Sequence, residues 1–121
     1  MFVKILKSKL HCATVTEAKL YYQGSIAIDS ALMQAADILP YESVLISDLN
    51  NGNRLETYAV PAEPNSGQVV ILGAAAHLIK TGDLIIIFSF AYCTPQEAKE
   101  LKPRVVILDK NNKIKTSPAG K

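Results

Sequence analysis

A glycine directly before a serine is the feature of this sequence with the clearest chemical potential. Gly24 and Ser25 lie in YYQGSIAID, at the entry to an apolar run. A serine hydroxyl can attack the carbonyl carbon of the preceding residue in an N-to-O acyl shift, if the peptide bond is held out of its relaxed geometry and the carbonyl oxygen is stabilised. Gly24 lacks the Cβ that would obstruct this attack. By itself, however, Gly-Ser is typical of a turn followed by a strand, because both residues are common in turns.

The segment RLETYAV contains an arginine, a threonine and a tyrosine close together. The planar guanidinium of Arg54 fits a carboxylate better than an ammonium does. Thr57 and Tyr58 are neighbours in a predicted strand, so their side chains point to opposite faces and only one of them should face a β core. Without further context, these residues are more typical of a solvated arginine, a strand threonine and a half-buried tyrosine.

Small residues follow at 73–76, in the sequence GAAA. Their backbone N–H groups can approach a ligand closely, and the start of a short helix favours an anion. A tight strand-to-helix connection would have the same composition without any ligand. The role of His11 is open in the same way. An imidazole could relay a proton, but a lone histidine in a strand is more often only hydrogen bonded.

The elements that must position these residues are mostly strands. Short runs rich in β-branched residues alternate with turn-forming clusters such as NNG at 50–52, TGD at 81–83 and KNNK at 110–113. This pattern predicts a mainly β protein with a closed or nearly closed sheet. The predicted strands are 2–6, 13–16, 25–28, 44–49, 55–60, 69–72, 84–90 and 105–108.

Three segments predict short helices, at 30–39, 74–79 and 94–101. Asp29 or Ser30 can cap the first, whose apolar residues share one face. Thr94 and Glu97 have the spacing of a capping box in the third. From about residue 116 the sequence predicts a frayed tail.

Composition predicts one compact domain over residues 1–121, since 49% of the chain is hydrophobic. A net charge of +2 from 13 basic and 11 acidic residues favours neither a nucleic-acid nor a membrane partner. Cys12 and Cys93 lack the spacing of a metal site or a disulfide framework. Early lysines interrupt any signal-peptide core, and no stretch reaches membrane-spanning length, so we expect a cytoplasmic protein.

Several separate motifs together resemble the pyruvoyl-dependent aspartate 1-decarboxylase family. KLHCATVT, YYQGSIAID, NNGNRLETYAV, GAAAH and TGDLIIIFSF follow one another with the family's order and spacing over about the first hundred residues. The resemblance implies a double-psi β-barrel with short helices. It also implies a homotetramer whose active sites lie between neighbouring subunits.

The resemblance further implies that the chain cuts its own backbone. Ser25 would attack the Gly24 carbonyl to give an ester, elimination would leave dehydroalanine, and hydrolysis with loss of ammonia would leave a pyruvoyl group capping residues 25–121. Residues 1–24 would remain as a separate small chain. The pyruvoyl ketone would form a Schiff base with L-aspartate and accept electrons as CO₂ leaves, giving β-alanine for pantothenate biosynthesis without pyridoxal phosphate or a metal. An accessory maturation factor is an additional possible partner.

Roles for individual residues come from the same resemblance. Lys9 and Arg54 would bind the two substrate carboxylates. Thr57 would hydrogen bond the Gly24 carbonyl during cleavage and the substrate afterwards, and Tyr58 would protonate the carbanion left by decarboxylation. The remaining predicted site residues are the substrate contacts Gly73, Ala74 and Ala75, and the supporting residues His11 and Tyr22.

One position departs from the family pattern. Leu72 stands where the family usually carries an asparagine, and a leucine side chain can neither donate nor accept a hydrogen bond. We therefore expect slower or partner-dependent self-cleavage.

Two other classes of protein fit parts of the sequence. An uncleaved, non-catalytic β-barrel binding module would keep the Gly24–Ser25 bond intact. A serine hydrolase using Ser25 with His11 would need a G-x-S-x-G elbow and an acidic residue that orients the imidazole, and the sequence indicates neither.

Overall fold

The computed structural model describes residues 1–117. Strands are the main regular secondary structure of this range, which confirms the mainly β prediction. The strands are β1 Val3–Thr14, β2 Glu17–Lys19, β3 Ser25–Asp29, β4 Ser43–Asp48, β5 Arg54–Ala62, β6 Val69–Leu72, β7 Leu84–Cys93, β8 Arg104–Leu108 and β9 Ile114–Thr116. The helices are α1 Ser30–Ala35, a 3₁₀ helix Gly73–His77 and α2 Pro95–Glu100.

The strands of residues 1–117 form one mixed sheet in the order β2-β6-β3-β5-β4-β7-β1-β8-β9. β3 lies between β5, to which it is parallel, and β6, to which it is antiparallel. β1 lies between the antiparallel β7 and the parallel β8. The sheet therefore brings sequence-distant segments to both sides of β3, which begins at Ser25.

An aliphatic core holds these strands together. Alternate residues along the central strands point inward, as the two-residue period of a strand requires. Each large aliphatic side chain that is fully buried contributes about 1.5–3 kcal/mol. The fully buried side chains include Leu10, Ile26, Ile28, Ile46, Ile71, Ile85 and Ile87.

The prediction of two separate strands at 2–6 and 13–16 was wrong, because β1 runs continuously through both. Its register against β7 shifts between Leu6 and Ser8 and again between Leu10 and Ala13. Cys12 has a φ of 64°, which marks the second irregularity. These shifts break the simple alternation of polar and apolar residues, so the middle of the strand was missed.

Helix α1 is shorter than predicted and ends at Ala35. Asp29 is its N-cap and accepts a hydrogen bond from Ala31 N. Asp37 then adopts a φ of 55°, and Pro40 follows, so the segment 36–39 leaves the helix. Glu42 fixes this exit by accepting hydrogen bonds from Leu39 N and from the Lys7 ammonium.

The capping box of α2 is confirmed, since Thr94 and Glu97 each accept the other's backbone N–H. β2 and β9 were not predicted; they have only three residues each and depend on pairing with β6 and β8. β9 includes Thr116, where the tail was expected to begin, and residues 118–121 lie outside the described range. Among residues 1–117, no helix has the length and apolar character to cross a bilayer.

Candidate active site

The Gly24–Ser25 bond lies at the point where the chain enters β3. Ser25 is the first residue of that strand and is 5% exposed. Its Cα is paired with that of Leu72 at the end of the antiparallel β6. On the other side, Ile26 is paired with Ala59 of β5. Strands on both flanks therefore hold the bond in place from its C-terminal side.

A cavity of about 300 Å³ opens directly beside Gly24. Thr57 from β5 and Ala74 and Ala75 from the 3₁₀ helix line it, so four of the predicted site residues meet at one place. The other lining residues are Leu55, Glu56, Leu72 and Leu78. Such a space can hold a small ligand against the backbone at Gly24.

The chemical character of this cavity is mixed. Thr57 supplies a hydroxyl, while Leu55, Leu72 and Leu78 supply aliphatic surface. Sequence reasoning did not identify Leu55 or Glu56 as site residues. Leu55 could have been found from its spacing, because it shares a face of β5 with Thr57.

Backbone atoms from other segments crowd Gly73 more closely than Gly24. A Cβ added to Gly24 would meet the Leu72 carbonyl oxygen at 4.0 Å, which is ordinary van der Waals contact. A Cβ added to Gly73 would meet Gly24 Cα at 2.7 Å. Gly73 is buried under the Gly24 backbone, and Ala74 and Ala75 are the members of GAAA that line the cavity.

Leu72 affects the site in two ways. Its backbone pairs with Ser25, and its side chain lines the cavity. Residue 72, where an asparagine was expected from the family pattern, therefore lies next to the Gly24–Ser25 bond. Gln68 directly precedes β6, and the first residue of that strand, Val69, pairs with Ile28. It is thus remote along the strand from Ser25.

Lys9 and Arg54 come together at a different place, around the ring of Phe88. Lys9 Nζ and Arg54 Cζ each lie 5.8 Å from its centroid. Arg54 also donates from Nη1 to Ser47 Oγ at 2.5 Å. Phe88 in turn stacks on Phe90, so the two cations lie on an aromatic surface. The structure thus brings the predicted carboxylate ligands together, outside the residues that line the Gly24 cavity.

Tyr58 faces away from that cavity. Burial along β5 alternates, with Leu55 and Thr57 partly buried and Arg54 and Tyr58 exposed. This confirms that Thr57 and Tyr58 point to opposite faces. Tyr58 therefore shares the Arg54 face of the sheet. Its ring lies 6.3 Å from the ring of Tyr41.

His11 and Tyr22 have different surroundings. His11 lines a separate cavity with Cys12 and Ile107, and within residues 1–117 its buried Nδ1 has no hydrogen-bond partner. The Tyr22 carbonyl oxygen packs against Gly73, but the Tyr22 side chain is 59% exposed. Of these two supporting residues, only Tyr22 adjoins the Gly24 segment in the described chain.

The far end of β3 is fixed by Asp29. Burial of the Asp29 carboxyl acts to raise its pKa, but hydrogen bonds from the backbone N–H groups of Gly67, Asn65 and Ala31 outweigh this effect and hold the pKa below its ordinary value. The carboxylate accepts these bonds at 2.9 Å. Strand β3 is thus anchored four residues after Ser25 by a charged acceptor.

Metal ligands do not cluster in the described part of the chain: residues 1–117 contain no group of three His, Cys, Asp or Glu side chains arranged to hold an ion. The groups at the Gly24 cavity are instead the Thr57 hydroxyl, small residues and aliphatic side chains, and Ser25 directly follows Gly24 in the chain. Such a set can carry acyl chemistry on the backbone itself.

Known proteins match this chain over nearly its whole length. The profile of a family described as aspartate decarboxylase matches residues 1–115. An aspartate 1-decarboxylase of Acetivibrio thermocellus is 54% identical over 114 residues, covering 94% of this chain and 90% of that relative. Another from Thermoanaerobacter pseudethanolicus is 53% identical over 109 residues, covering 90% and 93%. One from Listeria monocytogenes is 50% identical over 114 residues, covering 94% and 90%. The chain therefore belongs to the aspartate decarboxylase family, a family of enzymes, as its short motifs predict.

Proposed function

We propose that this protein cuts its own Gly24–Ser25 bond and then decarboxylates L-aspartate to β-alanine. The observation that carries the proposal is the position of that bond at a cavity shared with Thr57, in a member of the aspartate decarboxylase family. The relatives named above are aspartate 1-decarboxylases, which supports the substrate and the reaction.

Self-cleavage would use groups that the chain itself supplies. Ser25 Oγ forms a bond to the Gly24 carbonyl carbon as the C–N bond breaks, which gives an ester and a free amine on residue 25. Thr57 would donate its hydroxyl to the carbonyl oxygen, where negative charge develops. Loss of the Ser25 Cα proton expels the Gly24 carboxylate, and water then replaces the nitrogen, which leaves as ammonia. Residues 1–24 and 25–121 of the single domain become two chains.

The cofactor would be the pyruvoyl group that replaces Ser25. Its position fits, because Gly24, the residue directly before Ser25, lines a cavity of about 300 Å³, which has room for a small amino acid. When present, this ketone supplies the electron sink for loss of CO₂, so no pyridoxal phosphate or metal is proposed. Ala74 and Ala75 would offer backbone N–H groups to the substrate in the same cavity.

Substrate carboxylates would bind to Lys9 and Arg54. Two cations on one aromatic surface match a dianionic amino acid, and Arg54 can bind a carboxylate with two parallel hydrogen bonds. This surface and the Gly24 cavity involve separate sets of residues in one chain. An active site between subunits of a homotetramer would join the two, with Tyr58 supplied from the Arg54 face and His11 and Tyr22 in support.

The biological setting follows from the product. β-Alanine would feed pantothenate biosynthesis, and a cytoplasmic location would suit that pathway. A maturation factor is part of the proposal only if cleavage of the isolated chain is slow, as Leu72 suggests. The serine hydrolase alternative has little support, since Gly24, the neighbour of Ser25, and His11 line different cavities.

An intact-mass spectrum of the purified protein tests the proposal without any substrate. We expect two species: residues 1–24, and residues 25–121 lighter by one ammonia than simple hydrolysis would give. The same sample should release CO₂ from L-aspartate and form β-alanine. A single full-length mass with no CO₂ release, even after incubation with a lysate that could contain a maturation factor, would instead support the uncleaved binding module.

Leu72→Asn should accelerate self-cleavage about tenfold, because an amide beside Ser25 can stabilise charge on the Gly24 carbonyl. The measurement is the half-time of precursor loss, followed by intact mass after cell-free synthesis. Leu78→Asn is the matched control, since it adds the same amide to the same cavity without pairing with Ser25. Equal half-times for wild type and Leu72→Asn would remove Leu72 as a determinant of maturation.

A further inference from the structure

Gly73 makes the closest backbone approach to the Gly24 segment. A Cβ at residue 73 would lie 2.7 Å from Gly24 Cα, 2.9 Å from Gly24 N and 2.9 Å from the Tyr22 carbonyl oxygen. Carbon atoms in proteins do not pack at such distances, so any side chain here would push residues 22–24 away. The opposing atoms are all backbone, which cannot move aside by a rotamer change.

The backbone of Gly73 also has a conformation that side chains rarely adopt. Its φ is +87°, in the left-handed region that favours glycine. This turn lets the chain leave β6 directly after Leu72, the residue paired with Ser25, and start the 3₁₀ helix that lines the cavity. Gly73 therefore connects β6, the strand beside Ser25, with the 3₁₀ helix that lines the cavity beside Gly24.

We propose that Gly73 is a positioning residue for self-cleavage: its bare α-carbon lets residues 22–24 lie against the start of the 3₁₀ helix, and this contact holds the Gly24 carbonyl within reach of Ser25 Oγ. The inference rests on the proposed self-cleavage, and it assigns Gly73 a task before substrate binding. Gly73 acts through Gly24 and contributes no reacting atom.

Two other glycines allow a matched test. Gly52 and Gly82 have φ values of +78° and +92°, but a Cβ at either position would meet nothing within 4 Å. Alanine at these positions imposes the left-handed strain without the contact. The difference between Gly73→Ala and Gly82→Ala therefore isolates the approach to Gly24.

The first measurement is the half-time of precursor cleavage after cell-free synthesis, read by intact mass. We expect Gly73→Ala to slow cleavage at least tenfold relative to Gly82→Ala and Gly52→Ala, while all three show a cooperative thermal melt. Equal half-times for the three variants would overturn the proposal. Loss of the cooperative melt in Gly73→Ala alone would overturn it as well, because Gly73 would then be required for the fold.

The second measurement does not depend on cleavage. In an uncleavable Ser25→Ala background, amide hydrogen exchange of residues 20–26 should be at least tenfold faster with Gly73→Ala than with Gly82→Ala, and exchange in β7 should be the same. Failure of wild type to cleave would refute the proposed function while leaving this comparison intact. Unchanged exchange at 20–26 would refute the positioning role alone.

Discussion

Ser25→Ala should yield a single uncleaved chain with no decarboxylase activity. The substitution removes the hydroxyl that attacks Gly24 and the atom from which the pyruvoyl ketone derives. We expect precursor cleavage and CO₂ release from L-aspartate to fall by on the order of a thousandfold or more, as when other catalytic nucleophiles are removed. Intact mass and CO₂ release measure the two effects separately.

The fold should survive this change. Ser25 is buried, and an alanine leaves the strand pairing with Leu72 intact because that pairing uses the backbone. Ser30→Ala, in the following helix α1, is the matched control and should cleave and turn over normally. A Ser25→Ala protein that still separates into residues 1–24 and 25–121 would show that another group cuts the chain.

Tyr58→Phe should cleave normally but lose turnover. Tyr58 faces away from the cavity that contains Gly24 and Thr57, so cleavage should not need its hydroxyl. In the proposed reaction Tyr58 Oη supplies the proton that replaces the departing carboxylate. Loss of a positioned proton donor costs about 10²–10⁴-fold. We expect this loss in kcat, with little change in KM.

Tyr41→Phe provides the matched control for this experiment. Tyr41 is also exposed and its ring is 6.3 Å from that of Tyr58, so the variant removes a neighbouring phenol without removing the proposed donor. It should retain wild-type kcat. A wild-type kcat in Tyr58→Phe, measured on fully cleaved protein, would exclude Tyr58 as the proton donor.

Local pattern identified the candidate bond and most of the strands. Gly24–Ser25 stands out because motifs on four further segments agree with it, and strands such as β3, β4 and β6 have clear β-branched runs. The opposite orientations of Thr57 and Tyr58 follow directly from strand geometry. These are properties of short segments, which a sequence displays without knowledge of the fold.

Contacts between distant segments could not be predicted in the same way. The approach of Gly73 to Gly24 depends on the antiparallel pairing of β6 with β3, and the meeting of Lys9 with Arg54 at Phe88 depends on the order β5-β4-β7-β1. Strand order is set by the summed burial of many side chains, not by any one motif. The crowding of residue 73 by the Gly24 backbone was therefore not predicted from the sequence.

The place of β1 in the sheet has a consequence for how long the mature enzyme survives. Cleavage after Gly24 would put β1, including the fully buried Leu10 and Ala13, on a 24-residue peptide hydrogen bonded between β7 and β8. Once denatured, the two pieces would separate by diffusion, and the broken peptide bond could not re-form. Recovery would become a second-order, concentration-dependent process. The lifetime of the cleaved enzyme would then be determined by its rate of unfolding, not by the equilibrium between its folded and unfolded states.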